Sequence, residues 1–589
     1  MNGSKKPKAD DFTLAWRNIL RYIGKYRYAF VLTALMSAIG TVLTLIGPYY
    51  ISDMTDVIEK GLSGPMDMKA VEYLAAVLFA IYIGGGLLTF VENYLMATVS
   101  QRSAQMFRRD VSRKMNRIPL RYFDQSSKGD VMSRVTNDVD TLGSQMNQCI
   151  GSVVTAVTTL SGATLLMLIL NIPLALLTIA VAGVGFAIVK GIARSTQKYF
   201  KSQQKNLGLM NGLVEEQYSG HTIVTVYAGR AEAQRRFDEL NDHIGVTAFR
   251  SQFLGGISSH LSGLISNVGY VLVCLLGSFL YMDGRISFGV IVAFMIYVKL
   301  FSGAFSQLSY AVVSMQSVAA AAERVFAFLD YEEMEPDEEN PDLHDVQGRV
   351  VFDDVHFGYD PGNPIIDGFS ATVEPGQKVA IVGPTGAGKT TIINLLMRFY
   401  EVDSGRITID GIPVDRMSRT QLRDLFGMVL QDSWMFQGTL RENIAFNLEG
   451  VTYEDLDRVC QAVGLHHFVS SLPQGYDTPM DEEGSLSEGQ RQQITIARAM
   501  LGKPRMVILD EATSSVDPLT EKHIQDATES MMEGRTSFII AHRLSTIVDS
   551  DLIIVLDKGR IAESGTHSEL LSKGGFYKDL YDSQFDVAE

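Results

Sequence analysis

The run Gly383-Pro384-Thr385-Gly386-Ala387-Gly388-Lys389-Thr390-Thr391 has the composition of a loop that wraps phosphate. Phosphate oxygens are best met by backbone N–H groups converging at a helix N-terminus, and glycines let the chain approach without side-chain obstruction. Lys389 then supplies a point charge for the outer phosphates of a nucleoside triphosphate, and the Thr390 hydroxyl a ligand for Mg²⁺. The flanks fit: the strand-like Lys378 to Val382 precedes the loop and the apolar helical run Ile392 to Leu396 follows it. Further along, the apolar strand Met506 to Leu509 ends in Asp510 and Glu511. Asp510 suits a second contact to Mg²⁺, and Glu511 suits orientation or deprotonation of an attacking water, the two needs of phosphoryl transfer. Taken alone, an apolar run ending in acids also marks an ordinary strand-to-turn boundary.

The elements that must position these groups belong to only part of the chain. Of 589 residues 46% are hydrophobic, yet the formal charge is −16, which requires apolar and charged residues to be segregated. The acidic balance argues against a nucleic-acid partner, whose phosphates demand clustered Lys and Arg. Three scattered cysteines, Cys149, Cys274 and Cys460, match no metal spacing and read as small buried hydrophobes. The N-terminus has a basic start but no short apolar region with a small-residue cleavage site, so it does not read as a cleaved signal peptide.

Apolar stretches of about 20 residues, the length that crosses a bilayer, recur before residue 325 and not after it. Six spans are predicted: Tyr28 to Ser52, Tyr73 to Val91, two within the charge-free Thr141 to Val189 separated by Asn171-Ile172-Pro173, Ser251 to Met282, and one from Ser287 onward. Lys and Arg gather before the first span, between Arg102 and Arg134, and between Lys190 and Arg236, which predicts that these segments and both termini are cytoplasmic. The two later basic segments have helical spacing and read as long arms with turns near Phe123 to Gly129 and Tyr218 to His221. The fold class follows as multidomain, an all-α six-helix transmembrane domain followed by an α/β P-loop ATPase domain. The boundaries are 1–27 for an N-terminal elbow helix, 28–330 for the membrane domain, 331–348 for an acidic, Pro-bearing linker, and 349–589 for the nucleotide-binding domain.

Between the P-loop and Asp510 lies Leu486-Ser487-Glu488-Gly489-Gln490, and beyond it come Asp517 and His542. This ordered set resembles the ABC transporter ATPases, and the six spans resemble the exporter branch of that superfamily, so the resemblance covers nearly the whole chain. It implies that Tyr359 stacks on the adenine of ATP, that Gln431 senses the γ-phosphate and Mg²⁺, and that His542 bonds the γ-phosphate. It also implies that Ser487, Glu488, Gly489, Gln490 and Asp517 serve the ATP held by a second half-transporter subunit. The expected setting is the plasma membrane of a bacterium.

Glu488 departs from the family's pattern, which has glycine there. A carboxylate beside a partner's γ-phosphate is repulsive, so a heterodimer with an intact signature on the partner is expected, similar to bacterial heterodimeric multidrug exporters. The alternative is an outward-turned Glu488 in a homodimer exporting lipid or peptide, and a remote one is an ATP-gated channel or regulator. For hydrophobic or cationic amphiphilic cargo, the candidate residues are Glu92 in the second span and Phe294, Met295, Tyr297 and Phe301 in the sixth. Lys299 is the alternative ion-pair partner of Glu92.

Overall fold

The computed structural model describes residues 12–62, 64–337, 346–360, 362–430, 433–480, 486–510, 517–540 and 547–585. The chain divides into two compact units, Met1–Arg117 with Ser127–Tyr331, and Ile118–Ser126 with Glu332–Glu589.

The first unit is helical. It comprises α1 (Phe12–Tyr22), α2 (Arg27–Leu62), α3 (Met68–Met115), α5 (Lys128–Ser133), α6 (Val139–Leu170), α7 (Ile172–Ser219), α8 (His221–Val226), α9 (Arg230–Met282) and α10 (Phe288–Leu329); the intervening α4 (Leu120–Gln125) clusters with the second unit. Among the described residues six helices are long and apolar enough to cross a membrane, as expected from the sequence. Several run far beyond the apolar stretch: the 48 residues of α3 and of α7 each extend about 72 Å, against a hydrocarbon core of about 30 Å. The break between α6 and α7 is made by Asn171, whose side chain accepts the Leu174 N–H at 3.1 Å, with Pro173 in the first turn. Helices α2 and α3 meet at small residues. A Cβ on Gly40 would stand 3.6 Å from the Gly85 carbonyl, and one on Gly85 3.5 Å from that of Gly40. Close backbone approach of this kind is how membrane helices gain packing without a hydrophobic drive. Near the end of α10, Arg324 donates to the buried Asp138 at 2.7 Å, fixing α10 against the start of α6.

The second unit is built on a six-stranded sheet in the order β12-β11-β3-β10-β9-β6. Its strands are β3 (Lys378–Val382), β6 (Phe426–Val429), β9 (Met506–Asp510), β10 (Thr536–Ile540), β11 (Leu552–Asp557) and β12 (Arg560–Gly565). All neighbours are parallel except β11 and β12. The central strands are almost wholly buried, which is why they read as unbroken apolar runs. Their side chains alternate between two cores: Val379, Ile381, Ile508, Phe538 and Ile540 face one, and Ala380, Val382, Leu509 and Ile539 the other. A second, antiparallel sheet joins β1 (Val350–Phe357), β2 (Ile366–Val373), β4 (Ser404–Ile409) and β5 (Ile412–Pro413), and the short β7 (Gly438–Thr439) and β8 (Pro479–Met480) pair with each other. The acidic segment before β1 is partly held. Arg419 donates to Asp337 at 2.8 Å and to the Glu335 carbonyl at 2.9 Å, and Arg398 lies 3.7 Å from Asp337.

Candidate nucleotide and cargo sites

The P-loop leaves β3 and enters α11 (Lys389–Leu396) through Gly388, which caps that helix at φ 101°. A Cβ there would meet Ile366 at 2.7 Å, so glycine is required both by conformation and by space. Gly386 also has positive φ, 84°, with nothing within 4 Å of an added Cβ, which leaves its face of the loop open. The Lys389 ammonium is folded into the loop, donating to the carbonyls of Gly383 at 2.8 Å and Pro384 at 3.1 Å. Burial pushes its pKa below the ordinary lysine range, while the charge of Asp510 acts in the opposite direction. A cation that is partly desolvated and donates to neutral carbonyls fits an incoming phosphate.

Asp510 reaches Lys389 through sheet register. It pairs with Ile540, which in turn pairs with Ile381 one residue before the end of β3. The carboxyl edge of a parallel sheet thus gathers the P-loop and a buried carboxylate at one place. Thr390 follows Lys389 in the first turn of α11, and with Asp510 it is a candidate oxygen donor for Mg²⁺. Glu511 directly follows β9, and His542 comes two residues after the end of β10; these residues, like Gln431, lie outside the described residues.

Tyr359 is held edge-on against Phe357 and Tyr400, both with ring centroids 5.0 Å away. Its hydroxyl lies 3.4 Å from the hydroxyl of Thr391 and 3.4 Å from the Asn394 amide, so both α11 residues orient the ring expected to stack on adenine. Asn394 and Tyr400 escape sequence reasoning because each lies outside the phosphate motif. Tyr400 also donates its hydroxyl to Asp124 on α4. Burial first, and Asp124 second, raise the Tyr400 pKa well above the ordinary tyrosine range.

The segment Ser487-Glu488-Gly489-Gln490 opens the helix Glu488–Leu501. Ser487 Oγ accepts the Gln490 N–H at 3.2 Å, and Gln490 Oε1 accepts the Ser487 N–H at 2.9 Å. This capping box aligns the first turn and leaves Glu488 exposed with Gly489 buried. Asp517 has a role that sequence reasoning missed. Its carboxylate caps the helix Pro518–Met532 by accepting from Leu519 at 3.2 Å and Thr520 at 3.0 Å. Those bonds, the Thr520 N–H above all, hold its pKa below the usual carboxylate range.

The cargo candidates fare unevenly. Phe294, Tyr297 and Phe301 are 0%, 0% and 5% exposed and lie within one apolar cluster, so they are packing residues of the helical unit rather than a free cavity wall. Tyr297 donates to the Leu45 carbonyl at 2.9 Å, which satisfies its buried hydroxyl. Met295, one position off that buried row, is only partly buried. Glu92 lies beside Gly151 and hydrogen-bonds Ser37, whose hydroxyl is 3.0 Å from that of Thr155. No ion pair joins Glu92 to Lys299 among the described residues.

Residues 30–305 match the ABC transporter transmembrane region, and residues 366–514 the ABC transporter domain. A Mycobacterium bovis protein named fatty acid ABC transporter ATP-binding/permease protein is 43% identical over 516 residues, covering 87% of this chain and 82% of its own. A Bacillus subtilis protein named probable multidrug resistance ABC transporter ATP-binding/permease protein is 35% identical over 528 residues, covering 87% of this chain and 77% of its own. The solved structure of a bacterial Atm1-family ABC exporter with ATP bound is similar with a TM-score of 0.75 and 27% identity, over 95% of this chain and 98% of that one.

Proposed function

This chain belongs to the ABC transporter family, as an exporter half-transporter with its own ATP hydrolase domain, and from that premise we propose that it drives efflux of apolar and cationic amphiphilic compounds as one half of a heterodimer. The observation that carries the reading is the union in one chain of six apolar helices with a phosphate loop and an opposed carboxylate. ATP binds at the loop with Lys389 on its outer phosphates and Tyr359 against its base. Thr390, Asp510 and Gln431 would hold Mg²⁺, which would supply charge neutralisation on the outer phosphates. Glu511 orients or deprotonates the attacking water, and His542 bonds the γ-phosphate. The basic segments lie on the cytoplasmic side, in the plasma membrane of a bacterium.

Heterodimerisation is supported by Glu488. An exposed carboxylate in the first turn stabilises its own helix. The same carboxylate, a few ångströms from a partner's γ-phosphate, is repulsive by about 1 to 4 kcal/mol in a fairly polar setting. A partner with an intact signature restores one working site over this chain's P-loop. Glu92 supports cationic cargo: it is a carboxylate among hydroxyls at membrane depth with no ion pair to Lys299 among the described residues. A second reading, a homodimeric lipid exporter, is favoured by the mycobacterial relative's name and by Glu488 facing solvent.

Reconstitution separates the two. The chain is placed in vesicles alone or with a second half-transporter, and ATP-dependent uptake of a cationic dye and of a long-chain fatty acid is measured. Dye uptake only with the second subunit, reduced by Glu92→Gln more than uptake of a neutral compound, supports the proposal. Robust fatty-acid uptake by the chain alone replaces it with the second reading.

A further inference from the structure

An apolar cavity of about 340 Å³ opens where α1 meets the bundle, lined by Trp16 and Leu20 of α1, Phe30 and Val31 of α2, Val153 of α6 and Met315 of α10. Its volume falls within the range of sites that take small ligands. The site is preformed, because α1 is pinned beside it. Tyr22 stacks on Phe107 with centroids 4.4 Å apart and donates its hydroxyl to Asp110, while Ala15, Ile19 and Ile23 are buried.

One wall atom is unsatisfied. The indole Nε1–H of Trp16 is buried and has no hydrogen-bond partner among the described residues. Indole only donates, so the cavity calls for an acceptor at its polar end. Exposed arginines flank the wall positions along the chain: Arg17 and Arg21 follow Trp16 and Leu20 by one residue on α1, and Arg27 lies about one turn before Phe30 and Val31 on α2. Leu20 and Val31 are 58% and 59% exposed, which places apolar surface at the mouth of the cavity.

A short helix with a basic row beside Trp, Phe and Leu, leading directly into a membrane span, has the composition of one lying in the bilayer interface. We propose that this cavity is a binding site for an anionic phospholipid. One acyl chain fills the apolar space, a headgroup or ester oxygen accepts from Trp16 Nε1–H, and the phosphate is drawn to Arg17, Arg21 and Arg27. Glu92 is not part of the cavity wall, and the lipid is a bound modulator and not cargo.

Trp16 provides the test, since the chain has only two tryptophans. In full-length Trp434→Phe protein in nanodiscs, Trp16 fluorescence is measured with phosphatidylglycerol or phosphatidylcholine brominated on the acyl chain. Brominated phosphatidylglycerol is expected to quench more strongly at equal mole fraction. Each of Arg17→Gln and Arg21→Gln should reduce that preference about fivefold, and Ala34→Phe, which fills the cavity, should weaken quenching by both lipids. Equal quenching by the two lipids overturns the assignment, leaving only general contact with the bilayer. Absence of quenching by either also overturns it, because another helix, such as one from a second copy, then covers the cavity. Stronger quenching by a brominated fatty acid than by phosphatidylglycerol reassigns the cavity to cargo.

Discussion

Replacing Lys389 by alanine tests the nucleotide site most directly. In the structure its ammonium donates to two loop carbonyls at 2.8 and 3.1 Å, is 8% exposed, and has Asp510 as the neighbouring charge. Phosphate binding exchanges neutral acceptors for charged ones. At about 4 Å and an effective dielectric of about 20, one unit charge contributes about 4 kcal/mol. The lost carbonyl bonds and the desolvation of phosphate offset part of this, leaving the roughly 1.5–3 kcal/mol typical of hydrogen bonds to charged groups. Lys389→Ala should therefore weaken ATP binding by about ten- to 150-fold. The assay is equilibrium titration of the purified full chain with a fluorescent ATP analogue, alongside its thermal midpoint. The midpoint is needed because the substitution strips the Gly383 and Pro384 carbonyls of their partner, and lost affinity counts only if the fold is retained. Lys389→Arg keeps the charge with different geometry and should fall between alanine and wild type. Equal ATP affinity in the alanine variant and wild type refutes the cradle argument.

Other substitutions probe separate steps. Glu511→Gln should leave ATP affinity unchanged and lower hydrolysis by about 10²- to 10⁴-fold, as measured by phosphate release, because an amide does not accept the water's proton. Tyr359→Ala should weaken ATP binding by about five- to 150-fold, the range of lost base stacking, whereas Tyr359→Phe, which removes only hydroxyl contacts at 3.4 Å, should remain close to wild type in the same titration. Gly289→Ala should destabilise the helical unit by about 1–3 kcal/mol, seen as a lower thermal midpoint, since its Cβ would stand 2.1 Å from the Ser52 carbonyl oxygen. Asp517→Asn should retain the start of the helix Pro518–Met532 and Asp517→Ala should lower the midpoint, since asparagine caps nearly as well as aspartate and alanine does not.

The phosphate loop was legible because it is local. Nine consecutive residues contain the glycines, the lysine and the helix start, so no distant contact is needed to recognise them. The spans were legible for a related reason: bilayer thickness imposes a length of apolar chain, and the break at Asn171 carries its own cap and proline. The strands that gather the site were visible as buried runs, although their order was not, because β9 and β10 enter between β6 and β3 only through long-range pairing.

Tertiary structure decided what depends on which face of a helix meets which neighbour. Phe294, Tyr297 and Phe301 stand at i, i+3 and i+7, one row of α10, and packing turns that row into the bundle core, leaving Met295 off it. Composition alone leaves Glu92 and Lys299 free to pair. The fold instead gives Glu92 the hydroxyl of Ser37 and leaves Lys299 exposed. Asp517 gained its helix cap, Tyr400 its place against Tyr359, and Asp337 its arginines by the same route. In each case hydrogen-bond and ring geometry, unlike hydropathy or spacing, depends on where the backbone carries both partners.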